Sequence, residues 1–323
     1  EVGLTLKAFE GLSLDVSYYD TRTFNQTFDS QLSVSSGYTA LYVQTGNVRN
    51  RGVELSLGYE HQWGIFGWNS NYTFSTNHNE VLELMENYTH PETGNVISLD
   101  QLKVGGFANA AFVLTPGGTL GDLYTTVDLN RDEFGNVYVD KDGNISRNAE
   151  IGYRKLGSVF SKANMAWNND FNVGNFNFGF LISARLGGIV YSATQARLDN
   201  FGVSEASALA RDNGGVMVDG YIIDPYKWYS VVGADSGIPQ YYTYDATNVR
   251  LQEAHIGYTI PRRKLGGLMD ITLSLVGRNL WMIYCKAPFD PESIATAGNY
   301  YQGIDSFMMP STRNVGFSLR LKF

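Results

Sequence analysis

The chain has 323 residues and a formal charge of −8; 17% of residues are charged and 14% aromatic, with 21 Tyr, 18 Phe and 35 Gly. The acidic balance argues against a nucleic-acid partner, because phosphate backbones select clustered Lys and Arg, and the single cysteine, Cys285, excludes an internal disulfide framework. No run of 18 or more apolar residues occurs, which excludes a membrane-spanning helix but not a membrane β-barrel, whose strands leave only a two-residue alternation.

That alternation begins at the first residues. Val2, Leu4, Leu6 and Ala8 share a face, and a tight turn at Glu10-Gly11 leads to Leu12, Leu14, Val16 and Tyr18. Val53, Leu55, Leu57 and Tyr59 follow, interleaved with Glu54, Ser56, Gly58 and Glu60. After another short turn, Phe66, Trp68, Tyr72 and Phe74 alternate with Asn69, Asn71, Thr73 and Ser75. Val159, Ala163, Met165 and Trp167 predict the fifth strand, and a turn over 168–174 is expected after it. The sixth is the clearest: Phe176, Phe178, Phe180, Ile182 and Ala184 oppose Asn175, Asn177, Gly179, Ser183 and Arg185. Val249 and Leu251 open the seventh, whose phase slips before Ala254, Ile256, Tyr258 and Ile260, as a β-bulge would make it. Met269, Ile271, Leu273 and Leu275 form the eighth. The last runs to the end of the chain, with Val315, Phe317, Leu319, Leu321 and Phe323 against Asn314, Gly316, Ser318, Arg320 and Lys322. A helical period of 3.6 residues is absent from this reading.

Each strand alone would also suit a soluble sandwich. The connectors separate the two. Short ones are expected near 9–11, 60–64, 169–174 and 261–267, and long ones near 23–48, 78–156, 187–247 and 284–311. Tight turns on one side and long loops on the other are the asymmetry of outer-membrane barrels, whereas connections in compact domains usually run to about 4–6 residues. About nine antiparallel strands are odd in number, while single-chain bacterial barrels use even numbers. An open edge in hydrocarbon would leave backbone amides unpaired. The expectation is therefore an all-β chain that is part of a larger transmembrane barrel. No signal peptide is visible, since Glu1-Val-Gly-Leu-Thr-Leu-Lys already reads as strand.

Five stretches carry a family resemblance: Gly46-Asn-Val-Arg-Asn-Arg-Gly-Val-Glu-Leu-Ser-Leu-Gly58, Val249-Arg-Leu-Gln-Glu-Ala-His-Ile-Gly-Tyr-Thr-Ile-Pro261, Gly277-Arg-Asn-Leu280, Phe289-Asp-Pro-Glu292 and Pro310-Ser-Thr-Arg-Asn-Val-Gly-Phe317. Together and in this order, across nearly all of 1–323, they resemble the C-terminal barrel half of the SusC/RagA-type TonB-dependent outer-membrane transporters of Bacteroidetes. The resemblance implies the C-terminal portion of a 22-stranded transmembrane β-barrel with long extracellular loops, lying in outer-membrane lipid. It further implies a plug domain and TonB box outside this chain, energy from TonB through that missing N-terminal region, and a SusD-like surface lipoprotein as lid. The implied cargo is oligosaccharide or peptide. A siderophore or haem transporter of the same architecture, a secreted β-rich glycan-binding or glycan-degrading protein, and a surface adhesin on a barrel are the alternative readings.

Nothing in the sequence points to bond-making chemistry. His61, His78, His90 and His255 have no metal-ligand spacing, and neither a nucleophile elbow nor a phosphate-binding glycine loop is present. No cofactor is expected, although the runs Asp128-Leu-Asn-Arg-Asp132-Glu-Phe-Gly-Asn136 and Asp140-Lys-Asp142-Gly-Asn144 suggest calcium. Asx and glycine turns at 134–136 and 142–144 are the competing account, because the glycine and glutamate of a calcium loop are out of place. Tyr226-Lys-Trp228-Tyr229, Tyr241, Tyr242, Tyr244, Tyr300 and Tyr301 make two long loops aromatic. They are candidates for stacking on cargo or a partner, with an interfacial belt or loop-on-loop packing as the alternatives. Asp290 and Glu292 belong to the family-like Phe289–Glu292 motif and join the loop candidates. Arg185, Arg250, Arg320 and Lys322 fall on the wet face, where plug contact or solvation is expected.

Overall fold

The computed structural model describes residues 1–323 apart from 10, 32–39, 90–93, 95, 297, 299 and 300. Its main body is one nine-stranded antiparallel sheet in which every strand pairs with its neighbours in sequence. The strands are β1 (Val2–Ala8), β2 (Leu12–Gln31), β3 (Ala40–Trp63), β4 (Phe66–Glu83), β5 (Ala163–Val173), β6 (Phe176–Leu186), β7 (Asn248–Ile260), β8 (Asp270–Cys285) and β9 (Asn314–Lys322). All nine expected strands are present. The expected bulge is present too: Leu181 pairs with Glu253 and Ile182 with Leu251, so Gln252 is the extra residue.

Register fixes the two faces. Phe176, Phe178 and Ile182 of β6 pair with Val173, Phe171 and Trp167 of β5, which in turn pair with Phe66, Trp68 and Tyr72 of β4. This continuous apolar face is uncovered: Phe178 is 39% exposed, Leu275 56% and Phe317 87%. Rings crowd the end nearest the short turns, where Tyr59, His61, Trp63, Phe66, Trp68 and Phe171 lie within stacking or edge-to-face range of one another. An interfacial aromatic girdle has this composition and place.

Several strand boundaries differ from expectation. β2 and β3 run far beyond their alternating cores, so most of the loop expected over 23–48 is ladder and its tip falls among 32–39, outside the described residues. In these extensions polar residues take most positions of both faces, and Phe28 and Val48 turn into the core of the long connections, so the alternation of hydrophobicity vanishes while backbone pairing continues. Arg49 Nε holds Asp20 across that extension at 2.9 Å. β5 begins at Ala163, and Val159 is fully buried elsewhere. β5 also continues through the expected turn to Val173, leaving Gly174-Asn175 as the connection. The misleading residue is Asn169, a polar side chain on the apolar face opposite Ser70. Both are covered by indoles: Trp68 Nε1 donates to Asn169 Oδ1 at 3.1 Å and Trp167 Nε1 to Ser70 Oγ at 3.0 Å. Gly64 and Gly174 supply the positive φ that the two tightest turns need.

The long connections fold on the opposite end. Residues 84–162 contain a four-stranded sheet built from Leu102–Phe107, Ala110–Leu114, Asp122–Thr125 and Arg154–Ser158. Residues 187–247 contain three eight-residue helices, α1 (Ala193–Asn200), α2 (Glu205–Asp212) and α3 (Pro225–Val232). The helices were not expected, because two turns are too short to show a period. Their caps are conventional: Ser192, Ser204 and Asp224 accept from backbone N–H groups of the first turn, and Pro225 opens α3. Both connections share one core containing Phe112, Leu114, Leu123, Val159, Tyr191, Trp228, Val232 and Tyr242. Among the described residues no helix is long and apolar enough to cross a membrane.

Candidate functional site

The face opposite the apolar one is polar and carries the candidate site. Glu54, Ser75, Asn164 and Arg185 sit side by side on β3, β4, β5 and β6, each directly paired with the next. One step toward the cap, Tyr19 of β2 donates to Asn77 Oδ1 at 3.2 Å. These residues, with Ser161 and with Gln302 from the connection after β8, line a cavity of about 470 Å³. The lining offers amides, hydroxyls, one carboxylate and one guanidinium, a set suited to holding a polar solute rather than breaking bonds. Arg185 Nη2 donates to the Val159 carbonyl at 2.8 Å, while its buried Nε finds no partner among the described residues. A neighbouring cavity of about 740 Å³ has Asn79, Ser158, Lys162 and Asp245 in its wall.

The Phe289–Glu292 motif acquires a physical role. Arg250, nearly sealed from solvent, forks onto Asp290, with Nη2 at 2.7 Å from Oδ1 and Nη1 at 3.2 Å from Oδ2. Glu292 lies 3.4 Å from the same guanidinium, and its backbone N–H donates to Asp290 Oδ1 at 3.0 Å. Asn248 Oδ1 accepts from Arg250 as well. Burial raises the Asp290 pKa, but hydrogen bonds from Arg250, Ser311 and the Glu292 backbone outweigh it and hold the carboxyl below its usual range. The clamp ties the connection between β8 and β9 onto β7.

The other candidates distribute as follows. Trp228 and Tyr242 are buried in the cap core, where Trp228 meets Tyr241 edge to face at 5.5 Å. Tyr229 and Tyr241 pack against that core, Tyr226 is exposed, and burial pushes the Tyr244 phenol up to about 12. Tyr301 is partly exposed, and Tyr300 lies outside the described residues. Arg320 and Lys322 pair with Thr272 and Asp270 on the polar face and are exposed. In the 128–144 stretch, Asp128 pairs with Arg154 at 2.6 Å and with Arg131 at 3.3 Å. Asp132 Oδ1 accepts from the Phe134 and Asn136 amides, and Asp140 Oδ1 from those of Asp142 and Asn144. Among the described residues no three His, Cys, Asp or Glu side chains gather as a metal site.

With this geometry in view, the chain was compared with known proteins. No family model matches it. The curated TonB-dependent receptor P3 of Formosa agariphila is 23% identical over 359 residues, an alignment covering 100% of this chain and 34% of the receptor. TonB-dependent receptor P39 of the same organism is also 23% identical, over 99% of this chain and 35% of its own length. In fold, the RagAB peptide transporter matches 99% of this chain with a TM-score of 0.69 at 16% identity, using 34% of the matched chain. The closed-closed state of the RagAB peptide importer gives 0.67. The resemblance to SusC/RagA-type TonB-dependent transporters holds.

The chain spans about a third of the length of the curated relatives it matches. Its sheet has the fold of part of a transporter barrel. Sequence reading placed Arg185 and Arg250 on the polar face but missed Glu54 and Asn164 as companions of Arg185, and Arg250, expected to be solvated or to meet a plug, is instead buried against Asp290. Pairing register, which alternation within one strand does not give, brings Glu54, Asn164 and Arg185 together.

Proposed function

We propose that this chain forms part of the wall and extracellular vestibule of an outer-membrane, TonB-dependent importer of oligosaccharides or peptides too large for porins. A SusD-like lipoprotein lid, a plug and the contact with TonB belong to the rest of the assembly, and a complete 22-stranded barrel is the expected whole. The reading rests on one observation above others: a continuous uncovered apolar face backs a polar face that holds solute-sized cavities beneath a folded cap. A soluble glycan-binding sandwich would bury that apolar face against a second sheet. The RagAB neighbours, named as a peptide importer, share the fold along nearly the whole chain, which supports import as the activity.

The test is growth of a strain lacking the gene on defined glycans and on defined peptides as sole nutrient. Loss of growth on one of these classes, restored by the intact gene, is expected. Normal growth on both, with a defect only under iron or haem limitation, would replace this reading with a siderophore or haem transporter.

A further inference from the structure

The first cavity is dipolar. Arg185 closes one end with a guanidinium whose buried Nε has no partner among the described residues. Glu54, exposed on β3, brings a carboxylate to the same wall. Three strand spacings separate the two backbones, about 14 Å at the usual distance between neighbouring strands. Between them Ser75 and Asn164, with Asn77 and Gln302, present hydroxyl and amide groups that can both donate and accept. Glu292 acts on this guanidinium only at longer range, with no ion pair to Arg185 within 4 Å among the described residues, so a carboxylate placed against it would recover part of the cost of its desolvation. The opposite end calls for a cation.

Resting on the import reading, we propose that this cavity is a subsite for a zwitterionic solute, a short peptide with both termini free. Its α-carboxylate is held by Arg185 and its α-ammonium by Glu54, with main-chain amides hydrogen-bonding Asn164 and Asn77 between them. An extended peptide of about four residues spans the distance between the two backbones, and inward reach of the side chains shortens this to about three. A neutral oligosaccharide would match the central amides but leave both charged ends unanswered.

The experiment uses the full-length transporter in detergent and trialanine in four forms: both ends free, N-acetylated, C-amidated and doubly blocked. Affinity is measured by calorimetry for wild type, R185Q, R185K and E54Q. Wild type should prefer the free peptide over either singly blocked form by about tenfold or more, as loss of a charge-assisted hydrogen bond implies. R185Q should abolish the penalty for amidation while keeping that for acetylation, R185K should retain part of it, and E54Q should show the converse pattern. Equal affinity for all four forms in wild type overturns the proposal, as do penalties that the variants leave unchanged. A gene that still supports growth on glycans while failing this test would leave the import reading standing and remove only the zwitterion subsite.

Discussion

At the scale of single residues, the most consequential contact is the fork between Arg250 and Asp290. A buried ion pair is a poor source of net stability, but removing one partner strands the other charge in a desolvated site. Asp290→Asn should therefore destabilise the connection between β8 and β9 by about 3 kcal/mol. Hydrogen exchange should show it as faster opening of residues 286–296 with β6 unaffected. The same pair sets a pH dependence. Because the folded carboxyl is held below its usual range, its stabilisation is complete above the unfolded pKa of about 3.9 and is lost as pH falls below that value. Acid opening of this connection below about pH 4 is expected in the wild type and should be blunted in the Asn variant. The motif stood out in the sequence, but its role did not, because Arg250 lies forty positions from Asp290 and spacing alone cannot pair them.

At the scale of elements, the sheet was legible where one face stays apolar along the strand, as in Phe176–Leu186, and illegible in the outer halves of β2 and β3, where polar residues take most positions of both faces and Phe28 and Val48 turn into the cap core. Asn169 shows the opposite failure: one polar residue on the apolar face read as a turn, although two indole N–H groups in fact cover the polar pair. The eight-residue helices were beyond periodicity, but Asp224-Pro225 was a readable start signal. The two-faced character of β6 gives a paired prediction. Ile182→Arg, near the middle of the strand on the apolar face, should cost about 2–4 kcal/mol of folded-barrel stability, whereas Ser183→Arg, one residue away on the wet face, should cost far less. Urea unfolding of the full-length protein in liposomes measures both, and similar costs for the two would contradict the assignment of faces.

At the scale of the whole molecule, the chain divides into a ladder and a cap. The ladder leaves the rings and aliphatic side chains of its apolar face uncovered, and the cap buries its own around Phe112, Tyr191 and Trp228, joined there by Phe28, Val48 and Val81 from the strand ends next to it. That division explains why aromatic residues in the loops were ambiguous in sequence: Trp228 and Tyr242 serve the cap core, while Tyr226 remains at the surface. Four of the five tryptophans, Trp63, Trp68, Trp167 and Trp281, belong to sheet strands, and only Trp228 belongs to the cap. The central claim is that alternate residues of these strands face lipid and an aqueous interior. Spin labels placed singly at residues 176–183, in full-length protein lacking Cys285 and reconstituted into liposomes, test it directly. Oxygen accessibility should peak at 176, 178, 180 and 182, and accessibility to a water-soluble nickel complex at the positions between. Low access of both reagents at every position, as for a strand buried on both sides by protein, would contradict the account.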